Sequence, residues 1–101
     1  MPVAYMIVEL KINDLERYKA YVAAAGAVVK AFGGEYLVRG GRHETIEGDW
    51  KPARVAMVRF PSFEQAKAFY DSEMYKQARE KREGLTEYFN MVLAEGVDAP
   101  L

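Results

Sequence analysis

The sequence contains no cysteine and only one histidine. The first absence excludes disulfides, a thiolate nucleophile and thiolate metal ligands. The second excludes a site built from two or more histidines of one chain. No apolar run approaches the roughly 20 residues of a membrane-spanning helix, and the first residues lack the basic segment and cleavage site of a secretory signal. We therefore expect a cytoplasmic, soluble, globular protein with no membrane partner.

Charge of either sign is not in excess, since 14 basic residues face 15 acidic ones. A nucleic-acid-binding domain usually has a basic excess, so nucleic acid is not expected as a partner. Apolar residues make up 50% and aromatic residues 13% of the chain, which excludes a disordered or low-complexity segment. The length predicts one domain over residues 1–101, with an ordered core over about 3–96 and a loose tail over 96–101.

Hydrophobic periodicity predicts strands over 3–12, 35–40, 54–60 and 86–95. A first helix is expected over 14–32, with an apolar face of Leu15, Tyr18, Val22, Ala25, Val29 and Phe32. Asn13 and Glu16 have the spacing of a capping box for this helix, and Asp14 is the alternative cap.

Glycines and capping residues mark the remaining boundaries. Gly33-Gly34 is expected to end the first helix, and Gly40-Gly41 to bulge or bend the second strand. Ser62 opens the second helix, which is expected to break around Asp71-Ser72 and to resume as a charged helix ending at Gly84.

The order β-α-β-β-α-β favours a ferredoxin-like α+β sandwich. Its sheet is antiparallel with strand order 4-1-3-2, and both helices lie on one face because crossovers are right-handed. Strands one, three and four are apolar on both faces, however. A sheet face left in water would be a patch of several hundred Å², which is unusual for a monomer. We expect a second copy to cover it, giving a two-fold homodimer packed sheet to sheet.

Several short motifs carry a resemblance to a known family. They are Asp14-x3-Tyr18-x2-Tyr21, Gly33-Gly34, Arg39-Gly40-Gly41, Glu47-Gly48, Arg54, Phe60-Pro61-Ser62, Phe69-Tyr70-Asp71-Ser72, Tyr75 and Glu95-Gly96. In this order and spacing they resemble the small bacterial proteins grouped as domain of unknown function 1330, in the dimeric α+β barrel superfamily. Phe69 stands where that family typically has Trp. The resemblance implies a dimeric α+β barrel but no established reaction. Superfamily relatives include cofactor-free monooxygenases, lactone isomerases and haem-degrading enzymes.

The predicted topology gathers polar residues at one end of the sheet, where strands one and two end. The candidate substrate-binding residues there are Tyr18, Arg39, His43, Arg54, Tyr70, Ser72 and Tyr75. Arg39 and Arg54 could clamp an anion, because guanidinium presents a fork of donors. Alternatively, each pairs with Glu9, Glu47 or Glu87.

Other residues at this end also have two interpretations. His43 is either a general base or a solvent-exposed side chain, and Ser72 is either a site residue or the cap of the second half-helix. Of Tyr18 and Tyr21, one is expected to pack in the core and the other to offer its hydroxyl to a pocket. The mixed-charge run over 76–83 is interpreted as a solvated face.

The sequence shows no nucleophile–base pair, metal-ligand set or cofactor motif, so we expect no cofactor and no metal site. Two hypotheses for the function remain. The first is a pocket for a small anionic metabolite at this end of the sheet, with or without catalysis. The second is a non-catalytic dimeric binding or interaction module.

Overall fold

A computed structural model describes residues 2–97 of the chain. Its elements are β1 (Ala4–Ile12), α1 (Leu15–Ala31), β2 (Glu35–Arg39), β3 (Arg54–Phe60), α2 (Phe63–Asp71), α3 (Glu73–Glu80) and β4 (Thr86–Glu95). The predicted strands and helices are all present, and the second helix is broken into α2 and α3 at Ser72 as expected. Most of the tail expected to be loose lies outside the described residues.

The strands form one antiparallel sheet in the order β2-β3-β1-β4. This is the predicted order seen from the other edge, and it confirms the ferredoxin-like α+β fold. On the central strand β1, alternate side chains face the helices: Met6, Val8 and Leu10 are at most 6% exposed. The intervening side chains face away from the helices, and there Ile7 lies opposite Met57 and Val92.

The start of α1 is capped by Asp14 and not by Asn13. The Asp14 carboxylate accepts a hydrogen bond from the backbone N–H of Arg17 at 3.1 Å. The Asn13 amide donates instead to the carbonyl oxygen of Gly84, at 3.3 Å. The capping box expected at Asn13 is therefore wrong, because that side chain ties the start of α1 to the turn that precedes β4.

The buried face of α1 is also broader than predicted. Tyr21 and Val28 are buried together with Tyr18, Ala25 and Val29 of the predicted face, whereas Leu15 is 55% exposed. The burial of Tyr21 follows from the packing of α1 against α3 as well as against the sheet, since its hydroxyl contacts that of Tyr75.

The chain bends at Gly40 as expected, where φ is +72°, and β2 also contains a bulge at Leu37 that the sequence did not predict. The pairing with β3 shifts between Tyr36 and Val38, which leaves Leu37 as an extra residue. In a regular strand Tyr36 and Arg39 would point to opposite faces, since they are three residues apart. The bulge places them opposite Val58 and Ala56, which share the helix-facing side. A local insertion in one edge strand thus turns Arg39 towards the helices.

Candidate functional site

A cavity lies between α1, α3 and the helix-facing side of the sheet. Its volume is about 90 Å³, enough for several water molecules or one small organic molecule. Its wall on the side of the sheet consists largely of apolar side chains of β1, β3 and β4: Met6, Val8, Leu10, Ala56, Val58, Phe89 and Met91. Mostly apolar walls with a few polar groups are typical of small-molecule sites.

Two arginines supply the positive charge of the cavity, Arg39 from the end of β2 and Arg54 from the start of β3. The Arg39 guanidinium carbon lies 4.3 Å from the centre of the Tyr36 ring. A β-carbon added at Gly26 of α1 would lie 3.5 Å from Nη2 of Arg39. Arg39 is therefore held between the edge strand and the first helix.

The Arg54 guanidinium occupies the space beside Gly40. A β-carbon added at Gly40 would overlap with the guanidinium carbon and both nearest nitrogens of Arg54. Gly40 also has φ +72°, a conformation that favours glycine. Its N–H still donates to the carbonyl oxygen of Val55 at 2.9 Å. Gly40 thus continues the β2–β3 pairing by one hydrogen bond and leaves room for the arginine.

Neither arginine has a carboxylate within ion-pair distance among residues 2–97. The acidic residues named as alternative partners are engaged elsewhere or exposed. Glu9 accepts hydrogen bonds from Trp50 Nε1 at 2.9 Å and from Asn90 Nδ2 at 3.0 Å.

Glu87 pairs with Lys11 at 3.1 Å, and Glu47 is exposed. Within residues 2–97, therefore, no carboxylate pairs with Arg39, which is exposed, or with Arg54, which is half-buried.

A cluster of tyrosines supplies the polar groups from the helices. The hydroxyls of Tyr21 on α1 and Tyr75 on α3 are 2.7 Å apart, and the two residues are 8% and 1% exposed. Tyr18 lies one turn before Tyr21, is 4% exposed, and its ring centre is 5.2 Å from that of Tyr21. Burial raises the pKa of Tyr18 to about 12 and raises the pKa of Tyr21 further. These hydroxyls are therefore neutral near pH 7.

Arg82 lies behind the tyrosine cluster. Its guanidinium carbon is 3.7 Å from the centre of the Phe89 ring and 5.4 Å from that of Tyr21. Its Nε is buried and has no hydrogen-bond partner among residues 2–97. Burial lowers the pKa of Arg82, but hydrogen bonding and proximity to the Tyr75 and Tyr21 hydroxyls raise it more, so the net shift is upward.

The interpretation of the run over 76–83 as a solvated face therefore misses Arg82. A usable signal was present, because the buried face of α3 contains Tyr75 and Ala78, and Arg82 continues the same helical spacing. Tyr36 was missed for a different reason. A regular strand that directs Arg39 towards the helices directs Tyr36 away from them, and the bulge at Leu37 places both on the helix-facing side.

The predicted site residues divide into two groups. Tyr18, Arg39, Arg54 and Tyr75 line the cavity, and Tyr21 does so as well. His43, Tyr70 and Ser72 do not line it. The sequence predicted that one of Tyr18 and Tyr21 packs in the core and that the other offers its hydroxyl to a pocket. In the structure both residues are buried and both line the cavity.

His43 lies in the connection between β2 and β3, where it is exposed. Its Nε2 is 2.8 Å from the carbonyl oxygen of Pro52 and its Nδ1 is 3.3 Å from that of Gly41. These contacts join the two ends of the connection and place the imidazole outside the cavity.

Tyr70 and Ser72 serve the broken helix. The Tyr70 hydroxyl accepts a hydrogen bond from Arg79 Nη1 at 2.5 Å. The Ser72 hydroxyl accepts from the backbone N–H of Tyr75 at 3.1 Å and donates to the carbonyl oxygen of Phe69 at 2.8 Å. Ser72 is therefore the cap of α3, which was one of its two interpretations.

Two further features of the described residues, 2–97, bear on the type of protein. They contain no group of three or more His, Cys, Asp or Glu side chains that could hold a metal ion. Within the same range, no helix combines the length and the apolar character needed to cross a membrane.

Comparison with known proteins identifies a family and a fold. The model of the family described as "Domain of unknown function (DUF1330)" matches residues 3–97. No curated protein matches the chain significantly. A protein of unknown function from Rhodopseudomonas palustris superimposes with a TM-score of 0.77 at 17% identity, over 97% of this chain and 85% of that one.

Two other solved structures are also similar. A dimeric ferredoxin-like protein of unknown function from Jannaschia sp. CCS1 has a TM-score of 0.70 at 14% identity, over 93% of this chain and 99% of that one. A candidate antibiotic biosynthesis monooxygenase from Caulobacter crescentus CB15 has a TM-score of 0.69 at 17% identity, over 96% and 92% of the two chains. At these identities the likeness shows the fold alone.

Proposed function

The chain belongs to the family described as domain of unknown function (DUF1330), and we propose that it binds a small organic anion in the cavity between α1, α3 and the sheet. The observation that carries the proposal is the pair of arginines, Arg39 and Arg54. Both line a mostly apolar cavity, and neither has an acidic partner within residues 2–97. Two unpaired cations at one cavity favour an anionic occupant, and the guanidinium fork fits a carboxylate.

The chemistry of the walls supports an organic anion over an inorganic one. Most lining residues are aliphatic or aromatic, so a carbon skeleton gains more from burial there than a hydrated ion would. The volume of about 90 Å³ favours a compact molecule of roughly one ring over a nucleotide. The buried hydroxyls of Tyr18, Tyr21 and Tyr75 are available to orient it.

The same proposal includes a homodimer through the sheet face that points away from the helices. Ile7, Met57 and Val92 lie side by side on that face, and Val92 is 60% exposed. The support from relatives is that a similar solved structure is described as a dimeric ferredoxin-like protein. Because the cavity lies on the other side of the sheet, such a dimer leaves it open to ligand.

Binding tests should compare Arg39→Met and Arg54→Met with the unmodified protein. Thermal melts and titration calorimetry at pH 7 would use a panel of small carboxylates that includes benzoate and butanoate. We expect ligand-dependent stabilisation of the unmodified protein and an affinity at least about tenfold lower in each variant. Without ligand, the melting temperature of the variants should be unchanged or slightly higher, because no carboxylate is left unpaired.

Arg42→Met is the matched control, because Arg42 is exposed in the β2–β3 connection and does not line the cavity. It should bind the panel as the unmodified protein does. A lower melting temperature of Arg39→Met, together with no ligand-induced shift in the unmodified protein, would contradict the proposal. That result would favour the alternative of a non-catalytic dimeric interaction module, which needs only the apolar sheet face.

A further inference from the structure

The Tyr21–Tyr75 pair has one hydroxyl proton more than it uses. Two hydroxyls carry two protons, and the 2.7 Å contact between their oxygens accounts for one of them. No other protein acceptor for either hydroxyl is present among residues 2–97. Both residues line the cavity. One O–H is therefore free to donate to a group inside it.

Arg82 favours hydrogen-bond donation by the Tyr21–Tyr75 pair over hydrogen-bond acceptance. Its guanidinium carbon is 5.4 Å from the centre of the Tyr21 ring, and a guanidinium donates hydrogen bonds but cannot accept one from either hydroxyl. Its donors compete for the lone pairs of the two oxygens, which disfavours their use as acceptors for a ligand. Arg82 does not itself line the cavity, so it acts on a ligand only through the two tyrosines. The cluster of Tyr21, Tyr75 and Arg82 is thus rich in donors and poor in acceptors.

We propose that this cluster is a hydrogen-bond donor site for a second oxygen of the ligand, separate from the anionic group held by Arg39 and Arg54. The inference rests on the proposed function and narrows it to a ligand class. That class comprises small carboxylates whose flat apolar body carries a carbonyl oxygen, as in an aldehyde, ketone or ester. The one O–H of Tyr21 and Tyr75 that their mutual hydrogen bond does not use donates to the carbonyl oxygen, and Arg82 is a positioning residue that acts through this pair.

The protonation state of Tyr21 agrees with a donor role. Burial is the main cause of its raised pKa, and the neighbouring Tyr75 raises it further, so Tyr21 stays protonated at physiological pH. A base would need a hydroxyl that ionises readily, and this environment has the opposite effect. The pair therefore polarises a ligand oxygen by donation and does not remove a proton from the ligand.

A pair of isosteric probes tests the donor site directly. 4-Formylbenzoate and 4-vinylbenzoate have nearly the same shape and carboxylate, but only the first carries an oxygen acceptor; the 3-substituted pair covers the other geometry. We expect the unmodified protein to bind a formyl compound at least about tenfold more tightly than its vinyl counterpart, because a buried donor left unpaired is costly. Calorimetry with the purified full-length chain gives both affinities.

Variants test whether the preference for formyl over vinyl compounds depends on Tyr21, Tyr75 and Arg82. The double variant Tyr21→Phe/Tyr75→Phe should bring the formyl-to-vinyl ratio close to one while the vinyl affinity stays within about threefold. Arg82→Met should reduce the ratio in the same way, and a merely structural role of Arg82 would lower both affinities without changing it. Tyr5→Phe is the matched control, since Tyr5 lies on the other side of the sheet, opposite Arg59 and Ala94, and should leave the ratio unchanged.

The outcomes separate this inference from the proposed function. Equal binding of formyl and vinyl compounds by the unmodified protein would overturn the donor site while leaving the anion site intact. A preference that survives when both hydroxyls are removed, in the double variant Tyr21→Phe/Tyr75→Phe, would overturn it too. Failure of all four compounds and of the wider carboxylate panel to bind would overturn both.

Discussion

At the scale of single residues, burial decides what each tyrosine contributes. Tyr18, Tyr21 and Tyr75 are at most 8% exposed and line the cavity. Tyr70 is half-buried and its hydroxyl is used by Arg79. The same residue type thus provides ligand-facing donors in one place and a structural acceptor in another.

The raised pKa of Tyr18 predicts a loss of stability at high pH. In the unfolded chain this hydroxyl ionises near 10.0, whereas in the folded protein it keeps its proton up to about 12. Above pH 10 the unfolded state therefore binds fewer protons, and the free energy of unfolding falls as pH rises towards 12. The decline should be on the order of 1 kcal/mol per pH unit from this residue.

Urea unfolding between pH 8 and 11.5 measures this decline. Tyr18→Phe keeps the ring and removes the ionisation, so its stability should fall less steeply above pH 10. The variant and the unmodified protein should have parallel pH profiles below pH 9, where the hydroxyl is protonated in both states. Equal slopes above pH 10 would show that Tyr18 is not the residue responsible.

Sequence alone identified some of the cavity residues for a physical reason. Strand ends and helix ends meet at one end of a ferredoxin-like sheet, so Arg54 and Tyr75 could be assigned there from topology. Arg82 continues the helical spacing of Tyr75 and Ala78, but a mixed-charge run is also typical of a solvated helix, so the spacing alone does not show that Arg82 is buried. The structure decides this by placing the Arg82 guanidinium over the Phe89 ring.

At the scale of secondary structure, periodicity and capping residues predicted the strands and helices but not the bulge at Leu37. Each strand and helix was predicted within a few residues of its observed bounds. The segment Glu35–Arg39 contains no glycine or proline that would indicate an extra residue at Leu37. The bulge nevertheless decides that Arg39 faces the cavity, and without it this arginine would point to the outer face of the sheet.

Gly40, directly after β2, is expected to control the position of Arg54. Gly40→Ala should weaken carboxylate binding at least about tenfold, because the new β-carbon overlaps with the Arg54 guanidinium. It should also lower stability by about 1–2 kcal/mol, since φ is +72° and alanine is strained there. Calorimetry and urea unfolding measure the two effects.

Gly48→Ala separates strain from displacement of the arginine. Gly48 has φ +91°, and a β-carbon there would meet nothing within 4 Å. This control should lose similar stability and keep its affinity for carboxylates. Unchanged affinity in Gly40→Ala would show that the position of Arg54 does not depend on this glycine.

At the scale of the whole molecule, the two faces of the sheet differ in what covers them. The helix-facing side forms the core and the cavity, and its residues are the most buried of the strands. The other side is apolar along β1, β3 and β4, with Ile7 flanked by Met57 and Val92. The sequence pattern along the strands predicts that both faces of the sheet are apolar. It does not specify what covers the outer face, because the cover belongs to a partner.

Met57→Asp tests the homodimer proposed for the outer face. In a dimer packed sheet to sheet this carboxylate would be buried without a partner, which costs several kcal/mol. Light scattering or sedimentation at micromolar concentration should give about twice 11.5 kDa for the unmodified protein. For the variant we expect a dissociation constant at least about a hundredfold higher and a mass approaching that of one chain.

Gln77→Asp makes the same change of charge at an exposed position of α3 and should remain dimeric.

Carboxylate binding separates dimerisation from the integrity of the fold. Met57 lies on the side of the sheet opposite the cavity, so the Met57→Asp monomer should still bind the panel within a few-fold of the unmodified affinity. A monomeric unmodified protein would contradict the dimer. A Met57→Asp variant that stays dimeric would show that the two copies meet through another surface.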